Sequence, residues 1–347
     1  MKPSLLAQVL EKGIPAKRTF LIVGPPGTGK TDIVKQVCKK IDYECEIFHP
    51  VISDPTDYKG MPWIFQENGK PRAEFIPFGG LERILEANKP TLAFFDDFGH
   101  APPLVQASIM QPVWERKIDK HKISDQVTFI VASNRREDKA AVSGILEPFK
   151  SRAASIIDLE VDTEDWLRWA TQNNIPPIMR AFIRWRPNLL FDFQPTSDMK
   201  NSPLPRTVAN AAYLYQDGYP KEALYDLIQG AAGETFATEF MGFEQLYSQM
   251  PSPKKFVKDP KGTKLPEDPA ILYALTTVLP RYVNLDNIEV IITIAERLMD
   301  PNEFDDGYAH TEFTAFLMKN TEYEKSEFIE TREWIEFQSK HQELLLN

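Results

Sequence analysis

The chain has 347 residues, 42% hydrophobic and 26% charged, which is enough for about two ordinary domains and too apolar for wholesale disorder. Fifty Asp and Glu against forty Lys and Arg leave a formal charge of -10, arguing against a nucleic-acid backbone as the main partner. No apolar run approaches the roughly 20 residues that span a bilayer, residues 1–13 lack a signal-peptide core, and Cys38 and Cys45 are too few for a disulfide framework, so the expectation is a reduced, cytoplasmic protein.

Up to about Val161, short apolar runs alternate with helix-like stretches, the pattern of a parallel sheet flanked by helices. The runs 19–23, 44–49, 91–96, 127–133 and 155–159 predict buried strands, and 31–40, 81–87 and 104–114 predict helices between them. The second and third strands lie too far apart for one helix. Asn68-Gly69, flanked by Pro62-Trp63-Ile64-Phe65 and Glu74-Phe75-Ile76, signals a β-hairpin there. Beyond Asp162 the strand signal fades, and 166–173, 177–185, 206–216, 221–230 and 288–298 read as helices with Pro-rich joints. The Lys- and Pro-rich stretch 251–269 reads as a loop. The stretch 322–346 reads as a charged helix with Phe328, Ile329 and Ile335 on one side. The domain division expected is therefore 1–161 and 162–347.

Gly24-Pro25-Pro26-Gly27-Thr28-Gly29-Lys30-Thr31 fits G-x-x-x-x-G-K-[ST] and stands between a predicted strand and a predicted helix. The glycines let backbone N–H groups turn around a polyphosphate, and the helix N-terminus adds positive potential. Lys30 would reach the β/γ-phosphates and the Thr31 hydroxyl would ligate Mg²⁺. The competing reading is a plain Gly/Pro-rich turn. The apolar strand 91–95 ends in Asp96 and Asp97, at the strand edge where parallel sheets bind ligands. Asp96 is the natural Mg²⁺ partner and Asp97 could orient an attacking water; a helix-capping acid pair is the alternative. Strand 127–133 ends in Asn134, whose amide can hold a water or a phosphate oxygen, or simply serve a turn.

With these three elements in order, the sequence resembles an AAA+ ATPase, and within that class the MoxR-like, dynein-related branch. The resemblance is carried by the phosphate loop, by Asp96-Asp97-Phe98-Gly99-His100-Ala101-Pro102-Pro103-Leu104-Val105-Gln106 and by the strand closing on Asn134. It continues through Leu146-Glu147-Pro148-Phe149-Lys150-Ser151-Arg152-Ala153, the run 157–170 and Ser202-Pro203-Leu204-Pro205-Arg206, covering roughly residues 1–230. It implies a P-loop αβα sandwich with a five-stranded parallel sheet, a hairpin insert near the second helix, a helical lid, and a ring, commonly a hexamer, with ATP and Mg²⁺ between subunits. Arg152 would then act in a neighbouring subunit's site, with Arg135 and Arg136 as rivals for such a contact, and Arg206 would touch the γ-phosphate from the lid.

The resemblance also implies an ATPase that remodels, assembles or activates a partner complex, the partner bearing a von Willebrand factor A-type domain. Asp97 stands where the family usually has Glu, one methylene longer, so slow hydrolysis is expected. A slow or non-hydrolysing nucleotide-gated assembly switch is therefore one alternative, and a DNA-directed helicase or loader is another. Trp63 in the hairpin reads equally as a partner contact or as packing within the hairpin. The lysines from Lys254 to Lys264 read as a solvated loop, and His49, His100 and His121 receive no role.

Overall fold

The computed structural model describes residues 1–135, 144–196 and 198–342. They divide into two compact units, Met1–Asp162 and Thr163–Asn347. In the first, strands β1 (Phe20–Val23), β2 (Glu44–Phe48), β3 (Met61–Glu67), β4 (Lys70–Ile76), β5 (Thr91–Phe95), β6 (Lys117–Ile118), β7 (His121–Lys122), β8 (Val127–Ser133) and β9 (Ser155–Asp158) alternate with helices. These are α1 (Pro3–Gly13), α2 (Lys30–Lys40), α3 (Thr56–Lys59), α4 (Gly80–Leu85), α5 (Pro103–Met110) and α6 (Glu147–Lys150).

Five strands form one sheet in the order β2-β5-β8-β1-β9, every neighbouring pair parallel. All residues of β5 and β8 are buried, as strands covered on both faces require. One face carries Leu21, Phe48, Tyr58, Phe95, Phe129 and Phe149; the other carries Leu6, Leu10, Ile22, Val34, Phe94 and Ile130. Each such fully buried side chain contributes about 1.5–3 kcal/mol of apolar transfer. The expected P-loop αβα architecture with a five-stranded parallel sheet is the observed fold. Helix α1, which the sequence reading did not single out, closes the second face with Leu6 and Leu10.

The Asn68-Gly69 turn forms as expected. Both residues have positive φ (52° and 73°), as a two-residue turn between twisted strands demands, and β3 pairs with β4 from Met61↔Ile76 to Glu67↔Lys70. A second, shorter hairpin of β6 and β7 lies between α5 and β8. The helix expected over 104–114 is α-helical only to Met110 and widens into a π-type turn over Gln111–Glu115.

The second unit contains only helices among its described residues: α7 (Thr163–Gln172), α8 (Pro177–Trp185), α9 (Pro205–Gln216), α10 (Lys221–Ala232), α11 (Glu234–Tyr247), α12 (Pro253–Lys258), α13 (Pro269–Val278), α14 (Glu289–Leu298), α15 (Thr311–Glu324) and α16 (Arg332–Lys340), with short 3-10 turns. Two expectations change here. The Lys-rich stretch holds α12, anchored by buried Phe256. The expected helix over 322–346 breaks at Lys325 (φ -144°) and restarts at Thr331, whose hydroxyl accepts from Trp334 N–H. Phe328, Trp334 and Phe337 are buried there, whereas Ile329 and Ile335 are exposed; residues 343–347 lie outside the described part. Among the described residues, no helix is long and apolar enough to cross a membrane.

Candidate nucleotide site

The loop 24–31 follows β1 directly and runs into α2. Gly24 is fixed by close approach: a Cβ there would come within 2.8 Å of the Leu159 carbonyl. Gly29 is fixed by backbone, taking φ 88° at the N-cap of α2, a region that costs other residues strain. Thr28 Oγ1 donates to Pro25 O at 2.9 Å and tightens the turn. Pro26 and Gly27 complete it, Gly27 at φ 70°. The loop thus presents the N-terminal end of α2 at the carboxyl edge of the sheet.

Lys30 is only 6% exposed. Its ammonium donates to Gly24 O at 3.0 Å, Pro25 O at 2.8 Å and Asn134 Oδ1 at 2.8 Å. Asn134 stands at the end of β8, the strand beside β1, so sheet order alone brings it to the lysine. Thr31 Oγ1 donates to Asp96 Oδ2 at 2.5 Å, and Asp96 is 7% exposed. Asp97 follows with its N–H on Asp96 Oδ1 at 3.0 Å and a left-handed backbone, φ 52°. Its half-exposed carboxylate lies 3.9 Å from His100 Nδ1.

Four expected residues therefore meet: Lys30, Thr31, Asp96 and Asn134. Arg152 does not join them within the chain. Its segment leads into β9, whose first residue pairs with the first of β1, so the register places it toward the sheet end opposite the loop. Arg152 is exposed, with Nη1 on Pro148 O at 3.3 Å. Arg135 forms an ion pair with Asp158, and Arg136 lies outside the described residues. Arg206 is exposed in the first turn of α9, in the helical unit.

Three features escaped the sequence reading. Ser133 Oγ accepts from Gly99 N–H at 3.2 Å, tying the turn after Asp97 to β8. The β6–β7 hairpin places Lys120 Nζ 2.5 Å and His121 Nε2 3.5 Å from Glu74 of β4. Its turn gives little signal, since Asp119 takes the left-handed conformation with no glycine beside it. The third is Gln106, buried among backbone partners described below.

A buried ammonium, a glycine-turned helix start and a hydroxyl–carboxylate pair fit a polyphosphate and a hard divalent cation. Among the described residues no group of three or more His, Cys, Asp or Glu is arranged to hold a metal ion, so Thr31 and Asp96 would hold Mg²⁺ only together with phosphate oxygens and water.

Residues 19–153 match the family model for the AAA domain, dynein-related subfamily. The match spans the whole site, from β1 to Arg152, and well under half of the chain. No curated protein matches. Among solved structures, the RuvB Holliday junction branch migration motor of Thermotoga maritima is similar, with 14% identity over 83% of this chain and 82% of that one and a TM-score of 0.39. NtrX of Brucella abortus shares 11% identity over 98% and 67%, at a TM-score of 0.36. A putative ATPase of Cytophaga hutchinsonii shares 14% identity over 83% of this chain and 79% of that one, at a TM-score of 0.35. Likeness at these values decides nothing about this chain's chemistry. The AAA match and the P-loop fold agree with each other on the segment that holds the site.

Proposed function

We propose that the chain binds and hydrolyses ATP with Mg²⁺ as a cytoplasmic, ring-forming remodeller that assembles or activates a partner protein complex. The convergence of Lys30, Asn134, Thr31 and Asp96 at one sheet edge carries this reading. Loop amides and Lys30 would hold the β/γ-phosphates, Thr31 and Asp96 the metal, and bound Mg²⁺ would neutralise charge on the phosphates. Asp97 would orient the attacking water and Asn134 report the γ-phosphate through its bond to Lys30. Arg152, exposed and turned away from its own loop, suits a neighbouring subunit's site, and Arg206 would act from the helical unit.

A protein partner suits the acidic chain better than DNA does. The β3–β4 hairpin offers a surface for it, with Trp63 60% and Ile64 72% exposed on opposite faces. The resemblance points to a partner with a von Willebrand factor A-type domain.

The test compares native mass in Mg·ATP and in ADP with the ATPase rates of Lys30→Ala and Arg152→Ala. Loss of binding in the first, and of turnover alone in the second, supports the reading. Wild-type turnover by Arg152→Ala defeats the neighbour-site role. Asp97 favours a second reading, a slowly hydrolysing assembly switch: its carboxylate is short and its backbone strained at the position where a water must be held. Steady-state rates with and without a candidate partner separate the two.

A further inference from the structure

Between the acidic pair and the arginine segment lies a side chain that neither loop nor sheet requires. Gln106, in the first half of α5, is 1% exposed. Its amide nitrogen donates to Ala101 O at 3.0 Å and to Gly144 O at 2.8 Å, and its Oε1 accepts from Leu146 N–H at 3.1 Å. Both amide hydrogens are used, and all three partners are backbone groups. A buried primary amide is a poor filler, since it is tolerated only where its polar atoms are satisfied. Satisfied on both ends, it fixes the spacing between the two segments it bonds.

Those segments are the two that matter for turnover. Ala101 closes the 3-10 turn Phe98–His100, whose N-cap is Asp97. Leu146 is the N-cap of α6, the helix leading to Arg152, and its carbonyl accepts from Phe149 N–H at 2.9 Å. The segments meet again through their rings: Phe98 and Phe149 centroids are 4.4 Å apart, and Trp114 braces Phe149 at 5.4 Å. Gly99 N–H on Ser133 Oγ ties the same turn to the strand that ends in Asn134. Dense packing of this kind passes on a displacement instead of absorbing it.

We propose that Gln106 is a positioning residue that couples the turn after Asp97 to the Arg152 segment, so that a subunit's own nucleotide site sets where its arginine stands for the neighbour. The inference rests on the reading of Arg152 as a residue acting between subunits.

The test uses the full chain with Gln106→Met, which keeps the unbranched shape and removes all three bonds. Unchanged Mg·ATP affinity and native mass are expected, with kcat lowered roughly 10- to 100-fold at constant KM, the cost of misplacing a reacting group by about 1 Å. Loss of Mg·ATP binding by a folded Gln106→Met would overturn the proposal. The deciding measurement mixes wild-type subunits with Asp97→Asn subunits, co-assembly being checked by native mass. Carrying Gln106→Met in addition, the Asp97→Asn partner should depress wild-type turnover further, as should Asp97→Asn with Arg152→Ala. A loss with the arginine variant but none with Gln106→Met overturns the role of Gln106 and leaves the arginine reading standing. No loss with either overturns the arginine reading itself. Should Gln106→Met fail to fold by circular dichroism, Phe149→Leu enters the same mixtures with the same criteria.

Discussion

The Thr31 hydroxyl donates to Asp96 Oδ2 at 2.5 Å, joining the first turn of α2 to the end of β5 across 65 residues of sequence. Both oxygens are hard donors suited to Mg²⁺, whereas Lys30 reaches phosphate as a charge. The two residues should therefore fail differently. Asp96→Asn keeps an acceptor for Thr31 but drops the charge, so nucleotide affinity in EDTA should be near wild type while the gain on adding Mg²⁺ falls by about tenfold or more. Lys30→Ala should lose binding under both conditions. Calorimetric titrations with and without Mg²⁺ check this, and an undiminished Mg²⁺ effect in Asp96→Asn would remove Asp96 from the metal site.

Asp97 is held at φ 52° and its carboxylate ends one methylene, about 1.5 Å, short of a glutamate's reach. Positioning errors near 1 Å cost about a hundredfold in favourable geometries. Asp97→Glu should thus raise kcat, by up to about that factor, with little change in nucleotide affinity. A wild-type kcat equal to or above that of the variant would show that the short side chain is no brake.

Cys38 of α2 and Cys45 of β2 share the apolar face beneath α1. The hydrogen bond from Cys38 holds the Cys45 thiol below its ordinary range, with the Lys35 charge helping, while the same bond and burial push Cys38 up. Since the thiolate is the nucleophile and Cys45 is the more exposed of the two, Cys45 should alkylate first, with Cys38 protected by its burial until unfolding. Peptide mapping after iodoacetamide at stepped pH reads this directly. In Cys38→Ser the pH profile should shift as the thiol donor is replaced, and alkylation of Cys38 ahead of Cys45 would contradict the assignment.

Much of this arrangement is legible in the sequence, for a reason that also explains the failures. The fully buried strands β5 and β8 read as mainly apolar runs, and the residues that follow them, Asp96 and Asn134, fall at the loop's edge once strand order is known. The β3–β4 hairpin announces itself through Asn68-Gly69, because both residues must take positive φ. The β6–β7 hairpin does not, because each strand is two residues long and its turn starts at Asp119. Helix α12 hides in a lysine- and proline-rich stretch whose composition masks its buried residues Pro253 and Phe256. Gln106 belongs to the block that carries the resemblance, but its bonding cannot be read there, since its partners Ala101, Gly144 and Leu146 contribute only backbone atoms, which carry no residue signature.

The helical unit buries an ion pair that no sequence pattern announces. Arg180 of α8 is 2% exposed, and its Nη2 lies 2.7 Å from Glu324 Oε1 at the end of α15, a carboxylate 11% exposed. Arg281 approaches the same carboxylate at 3.3 Å, and Arg180 also donates to Ile175 O at 3.1 Å and Thr171 Oγ1 at 2.7 Å. Desolvation lowers the Arg180 pKa, the sign that its charge is paid for only by this company. Removing one partner of such a pair leaves the other buried and uncompensated, at about 3–5 kcal/mol, whereas replacing both with apolar groups is often neutral. Glu324→Gln should therefore destabilise the helical unit by about 3 kcal/mol, near the lower bound because Arg180 keeps its two neutral acceptors. Arg180→Met with Glu324→Leu should recover most of that loss. Denaturant unfolding of the two variants, followed by the tryptophans of α7 and α8, gives the comparison, and a double variant no more stable than Glu324→Gln would mean that the pair contributes net stability beyond mutual compensation.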